Sequence, residues 1–155
     1  MQLFPPTLII RHKKENLKKC SLRGLELRSD CVFFKYPLSV TLPSLDNYFM
    51  LSLDAPIVTE SDSSLGIILL DGTWKYAEKM EKIISPLAPI KKRSLPKTFK
   101  TAYPRRQDDC KDPTAGLASV EALFITYHLL KRDTSGLLDN YYWKEAFLNL
   151  NHHVF

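Results

Sequence analysis

The sequence predicts an α/β fold in which a mostly parallel sheet is flanked by helices. Short apolar runs that end in turn residues recur along the chain, which is typical of buried strands, and two amphipathic helices follow near the C-terminal end. The alternation of strands with helices favours a parallel sheet. With 155 residues, 45% of them hydrophobic, the chain has the length for one domain with one core.

Three strands are predicted before residue 65. They are rich in apolar and aromatic residues and are bounded by turn residues, and they span Thr7–Ile10, Cys31–Tyr36 and Tyr48–Leu53. The segment 11–28 carries seven Lys or Arg residues and would form at most a poor helix, interrupted at Gly24. This charge run is either solvated surface or a surface that faces phosphate groups.

The stretch Gly66–Ala77 predicts a strand, a tight turn and the start of a helix. The run Gly66–Leu70 has no charge and is typical of a buried strand. Asp71 or Thr73 can cap the helix, which continues to about Ile84. Its inward face is formed by Trp74, Ala77, Met80 and Ile84. Ligands of parallel sheets bind where strands end and helices begin, so the sequence predicts a ligand site at this turn.

The basic segment 91–106 is predicted to be mostly loop, with a short strand at Ser94–Leu95. It holds seven Lys or Arg residues and no acidic residue, with Phe99 and Tyr103 between them. This composition is typical of RNA-binding loops, because basic side chains contact phosphates and aromatic rings stack on bases. The alternative is a surface loop that its aromatic residues anchor to the core. The candidate RNA-binding residues are Lys91, Lys92, Arg93, Lys100, Tyr103, Arg105 and Arg106.

Two further helices are predicted, over Leu117–Arg132 and Asp139–Leu150. Each carries apolar residues at helical spacing, so each packs one face inward. Near the start of the first helix lie Ser119, which we expect to cap it, and Glu121, which we expect to bind substrate or the basic segment.

Composition limits the functional classes. The net charge of +5 permits nucleic-acid binding, but is equally compatible with good solubility alone. Three scattered cysteines form no CxxC pair and have no His at metal-ligand spacing, so we expect no metal site and a reduced, cytoplasmic protein. The N-terminal residues do not have the pattern of a signal peptide, and no apolar stretch approaches the length of a membrane span.

Three separated segments carry a family resemblance. They are Asp71-Gly72-Thr73-Trp74 with Ala77, then Ala102-Tyr103-Pro104-Arg105-Arg106, and Leu117-Ala118-Ser119-Val120-Glu121-Ala122-Leu123. Together they resemble the DTW-domain family and its rRNA-modifying relatives, which are aminocarboxypropyltransferases of the SPOUT superfamily. Two further segments are similar to the rRNA-modifying branch. They are Arg11-His12 through Lys18-Lys19-Cys20-Ser21, followed by Leu25, and Leu51-Ser52-Leu53-Asp54.

The resemblance implies a SPOUT-like fold with a C-terminal trefoil knot and S-adenosyl-L-methionine (SAM) as the donor. The chain would be one domain over 1–155, with an N-terminal half at 1–65 and a SAM-binding half at 66–155. It would transfer a 3-amino-3-carboxypropyl group to N3 of a uridine in tRNA or rRNA. The implied cofactor-binding residues are Ser21, Leu51, Leu70, Asp71, Thr73, Trp74, Ala77, Leu95 and Ser119.

The transfer requires that the methylene of the amino-acid arm, and not the methyl, faces the nucleophile. The family implies a methyl pocket at Trp74 and Ala77, which lie one helical turn apart. The indole can also attract the sulfonium cation. Asp71 is the candidate general base for the uridine N3 proton, and its alternative role is to hold the turn.

The substrate is left open between tRNA and rRNA. The N-terminal cysteine cluster of the tRNA-modifying branch is absent, yet the Asp71–Trp74 motif resembles that branch. Three alternatives also stay open: a SPOUT-type RNA methyltransferase, a non-catalytic RNA-binding factor, and a small α/β domain without an RNA role. We expect a monomer that binds RNA and neither DNA nor a membrane.

Overall fold

The structure, a computed structural model, describes residues 4–14, 20–72, 74–84, 90–104 and 116–155, and for Trp74 only the backbone. Five strands form one sheet within these ranges. They are β1 (Thr7–His12), β2 (Cys31–Tyr36), β3 (Tyr48–Leu51), β4 (Gly66–Asp71) and β5 (Lys91–Arg93). Every pairing is parallel, in the order β2-β1-β4-β3-β5. The predicted α/β class is therefore confirmed, and the sheet is all-parallel in this part of the chain.

The two innermost strands, β1 and β4, are buried along nearly their whole length. Strands that are covered on both faces have continuous apolar sequences, which explains the apolar runs Thr7–Ile10 and Gly66–Leu70. The chain passes from β1 outward to β2, whereas from β4 it crosses β3 to reach β5. The connections therefore diverge between β1 and β4, which is the topological switch point where ligands of such sheets bind.

One face of the sheet packs against helix α1 (Trp74–Ile84). Met80 and Ile84 are fully buried there against Leu8, Ile10 and Ile68. Alternate residues of a strand point to opposite faces, so this face is lined by the even-numbered residues of β1 and β4.

The other face packs against helices α2 (Ser119–Leu129) and α3 (Lys144–Leu150). Ile9 and Ile67 from the strands are fully buried with Leu123 of α2 and Phe147 of α3. The residues Arg11 and Asp71 are odd-numbered, so they belong to this face. In the described part of the chain, no helix combines the length and the apolar character needed to cross a bilayer.

Two predictions about the basic segments are wrong. The strand expected at Ser94–Leu95 lies instead at Lys91–Arg93, because its neighbour β3 ends at Leu51 and offers no further backbone to pair with. Ser94 forms only an isolated bridge to Ile57. In the described parts of 11–28, β1 continues to His12, and residues 20–28 form turns with a short 3₁₀ helix in place of a poor α-helix.

Both C-terminal helices are shorter than predicted. Helix α2 begins at Ser119, because Ala118 before it has an extended backbone, and it ends before Lys131, which has a φ of 60°. Residues 134–143 form successive turns with i to i−3 hydrogen bonds, beginning around Gly136 at φ 82°, so that α3 starts only at Lys144.

Candidate active site

The carboxyl ends of β1 and β4 are joined by a buried ion pair. Arg11 and Asp71 are register partners in neighbouring strands, and both side chains lie on the α2 face. Arg11 Nε donates to Asp71 Oδ2 at 3.0 Å, and the exposed fractions of the two side chains are 12% and 3%. The pair therefore occupies the switch point of the sheet.

Asp71 has partners on both of its oxygens. The Cys20 thiol donates to Oδ2 at 3.2 Å, beside Arg11, and the Ser119 hydroxyl donates to Oδ1 at 2.9 Å. Arg11 also forms an ion pair with Glu26 at 3.1 Å. We call Arg11, Cys20, Asp71 and Ser119 the Asp71 cluster. The cluster connects the ends of β1 and β4 with Cys20 and with the first turn of α2.

The charges in the Asp71 cluster are well defined. Burial and the negative charge of Asp71 together raise the pKa of the Cys20 thiol to about 12, so the sulfur is a neutral donor at physiological pH. Burial lowers the pKa of Arg11, but its hydrogen bond to Asp71 and the charge of that carboxylate outweigh this, and the net shift is upward. Arg11 is therefore a permanent cation.

One distant and one local side chain accept backbone N–H groups at the N-terminus of α2. The Val120 N–H donates to Ser21 Oγ at 3.1 Å, and the Ala118 N–H donates to Glu121 Oε1 at 2.8 Å. The expectation that Ser119 caps the helix is wrong, because its hydroxyl is directed at Asp71 instead. Ser21, Asp71 and Ser119, three of the predicted cofactor-binding residues, thus lie together at one helix N-terminus.

Glu121 fixes the basic segment to the core. Its fully buried carboxylate accepts hydrogen bonds from Thr101 Oγ1 at 2.6 Å, from Ala102 N at 2.9 Å and from the Tyr141 hydroxyl at 2.9 Å. Together with the bond from Ala118, this gives the carboxylate four donors. The expected contact between Glu121 and the basic segment is therefore confirmed.

The remaining predicted cofactor-binding residues are more dispersed. Leu51, which ends β3, and Leu95, which follows β5, are partly buried on the α2 face. Leu70 lies on the opposite, α1 face, and Ala77 is half-buried in α1. Thr73 and the side chain of Trp74 lie outside the described residues.

Several predicted RNA-binding residues are engaged within the protein. Lys92 and Arg93 form ion pairs with Glu81 at 3.3 Å and with Asp62 at 3.1 Å, and the backbone of Lys100 is bound on both sides by Asn151. Lys91 is exposed on the edge strand β5, where a loop was expected, and Tyr103 is half-buried against the core. Arg105 and Arg106 lie outside the described residues.

Arg11 and Cys20 were not predicted from the sequence as partners of Asp71. The signal for Arg11 was available, since it follows a buried apolar run directly, as Asp71 does. Cys20 becomes a partner only through the tertiary path of its segment, for which no sequence pattern exists.

A cavity of about 360 Å³ lies at the opposite edge of the sheet and is lined by Phe4, Arg28, Tyr127 and Arg132, among others. Tyr127 bonds to Thr7 at the start of β1, which places this cavity at the amino ends of the strands. None of the predicted site residues lines it.

Comparison with solved structures shows that the fold is shared with the SAM-dependent rRNA:acp-transferase Tsr3 from Vulcanisaeta distributa. The TM-score is 0.70, the sequences are 20% identical, and the match covers 97% of this chain and 80% of the Tsr3 chain. A comparison with known protein families gives no match. A comparison with curated proteins also gives none. At 20% identity, the similarity to Tsr3 demonstrates the fold.

Proposed function

We propose that this protein is a SAM-dependent RNA 3-amino-3-carboxypropyltransferase. The observation that carries the proposal is the hydrogen bond from Ser119 to Asp71. It brings two of the resemblance segments, Asp71–Trp74 and Leu117–Leu123, to the switch point of a parallel sheet. The fold shared with Tsr3 supports the same reaction class. Under this proposal the chain acts as one domain and as a monomer, with the trefoil knot that the SPOUT resemblance implies.

The residues at the carboxyl edge have the chemistry that SAM requires. Ser21 accepts the Val120 N–H and keeps its own O–H to donate, so it can bind the carboxylate of the amino-acid arm beside the N-terminus of α2. Leu51 and Leu95 supply a partly buried apolar border for an adenine ring. In this proposal Leu70, Asp71, Thr73, Trp74, Ala77 and Ser119 complete the site.

Bound SAM supplies an electrophilic methylene beside its sulfonium. The protein's task is then positioning, because only a carbon held in line with the acceptor reacts rapidly. We assign shelter of the methyl to Trp74 and Ala77, following the family resemblance.

Asp71 is better suited to hold the site than to remove the uridine proton. Both of its oxygens already accept hydrogen bonds, one of them shared by Arg11 and Cys20, and the residue is 2% exposed. A general base must reach the substrate proton, and a carboxylate this deeply buried, with three donors already bound, is poorly placed to do so. We therefore assign Asp71 the positioning role that sequence analysis gave as its alternative.

The reaction is tested with isotopically labelled SAM and purified tRNA and rRNA. We expect calorimetry to show SAM binding, and we expect label from the arm carbons, not from the methyl carbon, to enter one of the RNA pools. Methyl label in the RNA would instead identify a methyltransferase. RNA binding without SAM binding would identify a non-catalytic factor.

The substrate is identified by comparing nucleosides from wild-type and deletion cells. Loss of an aminocarboxypropylated uridine from one RNA pool would identify that pool as the substrate. We expect Trp74→Ala to weaken SAM binding more than Arg105→Ala does, and Arg105→Ala to weaken RNA binding more. The reverse ranking would contradict the assigned roles.

A further inference from the structure

Three aromatic rings stack at the carboxyl edge of the sheet, on the α1 face. The rings of His12 and Tyr76 are parallel to within 7°, with centroids 4.0 Å apart, and Tyr36 lies 5.6 Å from His12 at an angle of 30°. His12 and Tyr36 are register partners at the ends of β1 and β2, and Tyr76 is in the first turn of α1. We call Tyr36, His12 and Tyr76 the aromatic stack.

The aromatic stack adjoins the Asp71 cluster across the turn after β4. At Gly72, an added Cβ would lie 3.2 Å from Tyr76 Cβ and 3.3 Å from His12 Cβ. The absence of a side chain at Gly72 thus lets α1 approach the end of β1. Because Gly72 follows Asp71 directly, the two groups occupy opposite faces of the same short edge.

Three exposed lysines surround the aromatic stack. Lys14 Nζ lies 6.0 Å from the Tyr76 centroid, and the backbone N–H groups of Lys14 and Lys13 donate to His12 Nδ1 and to the Tyr36 carbonyl. Burial lowers the pKa of His12, and the positive charges of Lys14, Lys13 and Lys79 lower it further. The imidazole is therefore neutral, and the local positive charge comes from the lysines.

These lysines differ from the basic residues that carboxylates hold in ion pairs. Arg11, Arg28, Lys92 and Arg93 are held in ion pairs by carboxylates. Within the ranges that the structure covers, no carboxylate lies within salt-bridge distance of Lys13, Lys14 or Lys79. No carboxylate of the described residues compensates their charges, which favours contact with an anionic partner.

We propose that the aromatic stack and Lys13, Lys14 and Lys79 form a binding surface for single-stranded RNA next to the candidate active site. The three ammonium groups would contact backbone phosphates, and a nucleobase would stack on the half-buried ring of Tyr36. Cations combined with stacking rings are how proteins hold single strands, whereas a protein partner would not require the aromatic rings beside the charges. This inference rests on the proposed function and places the acceptor RNA on the α1 side of the edge.

The lysines are tested with a charge-matched pair of triple variants. The test variant is Lys13→Gln, Lys14→Gln and Lys79→Gln. The control is Lys82→Gln, Lys131→Gln and Lys144→Gln, which removes the same charge from lysines that are already ion-paired. Binding of a short fluorescein-labelled single-stranded RNA is measured by anisotropy between about 50 and 200 mM salt.

We expect the test variant to lose at least about tenfold in affinity at the lower salt concentration. The slope of log K against log salt should shrink by about 2, since each phosphate contact on a single strand contributes about 0.7. The control should stay within about twofold of wild type. Equal losses in the two variants would overturn the proposal, because binding would then depend on net charge alone.

Stacking is tested separately with Tyr36→Leu, using Tyr142→Leu as the control because Tyr142 is 85% exposed and precedes α3, which packs on the opposite face of the sheet. We expect Tyr36→Leu to weaken RNA binding by about fivefold or more while leaving the salt slope unchanged. Circular dichroism establishes that each variant is folded. Unchanged affinity in the folded Tyr36→Leu variant would overturn the stacking role.

Failure of this inference is distinguishable from failure of the proposed function. If the wild-type protein transfers the aminocarboxypropyl group and binds RNA, yet neither the lysine nor the tyrosine variants differ from their controls, only the inference fails. If the variants lose RNA binding as expected but the wild-type protein transfers no aminocarboxypropyl group, the binding surface is supported and the proposed reaction is wrong. If the wild-type protein binds no RNA, both fail.

Discussion

The Ser119 hydroxyl donates to Asp71 Oδ1 at 2.9 Å, which fixes the first residue of α2 to the last residue of β4 across 48 positions of sequence. Arg11 and Cys20 hold the other oxygen of the same carboxylate. One buried side chain therefore determines how two of the resemblance segments meet. Variants of Asp71 therefore distinguish a positioning role of this residue from a catalytic one.

Asp71→Asn should destabilise the fold, because it leaves the Arg11 guanidinium without its buried partner. The loss of such a pair costs about 3–5 kcal/mol in the free energy of unfolding. Urea denaturation measures this, with Asp46→Asn as the control, since Asp46 is exposed and its variant should change stability by less than about 0.5 kcal/mol.

A double-mutant cycle identifies the Arg11 pairing as the cause. Arg11→Met combined with Asp71→Asn should lose less stability than the sum of the two single variants, because no uncompensated charge stays buried. If Asp71→Asn had wild-type stability and yet abolished transfer, Asp71 would be a general base and not a positioning residue.

Glu121→Gln should loosen the basic segment. The carboxylate accepts from Thr101, Ala102, Ala118 and Tyr141, and the NH₂ group of glutamine would face either Ala102 N–H or Ala118 N–H, donor against donor. We expect a loss of about 2–4 kcal/mol and faster proteolysis near residues 100–104. Glu145→Gln, at an exposed position of α3, should change neither measurement.

Much of the fold could be predicted because buried parallel strands carry continuous apolar runs. Gly66–Leu70 and Cys31–Tyr36 therefore indicated β4 and β2 within one residue of their observed bounds. Helix ends were less predictable. The turns of 134–143 depend on a tertiary hydrogen bond from Tyr141 to Glu121 and on a left-handed Gly136.

The candidate site could be predicted only in part. Asp71 lies between a strand and a helix that can both be predicted from the sequence, so its place at the sheet edge could be predicted as well. Arg11 also directly follows a buried apolar run, so its place at the same edge could have been inferred. The contacts of Cys20 and Ser119 with Asp71 could not, because tertiary packing of their segments leaves no local pattern. The His12–Tyr76 stack was missed for the same reason.

Gly66→Ala should destabilise the sheet by forcing the Tyr48 ring away from β4. An added Cβ would lie only 2.3–2.8 Å from three ring atoms of Tyr48, which is buried and donates its hydroxyl to the Pro6 carbonyl at 2.8 Å. Overpacking of this kind costs about 1–3 kcal/mol. In thermal denaturation, adding Tyr48→Leu to Gly66→Ala should cost less than Tyr48→Leu costs alone; additive losses would show that the ring is not the obstacle.

Alkaline pH should destabilise the protein through its buried thiols. Burial raises the pKa of Cys20 and of Cys31 from 9.0 to about 12, and nearby carboxylates act in the same direction. Between these values the unfolded chain loses thiol protons that the folded chain retains, so the unfolded state binds fewer protons and stability falls as pH rises. Each thiol should contribute a slope of about 1.4 kcal/mol per pH unit within that window, and none below it. Urea denaturation from pH 7 to above pH 9 measures this slope. Cys20→Ala should reduce the slope by the contribution of one thiol. An unchanged slope in that variant would show that Cys20 titrates normally in the folded protein.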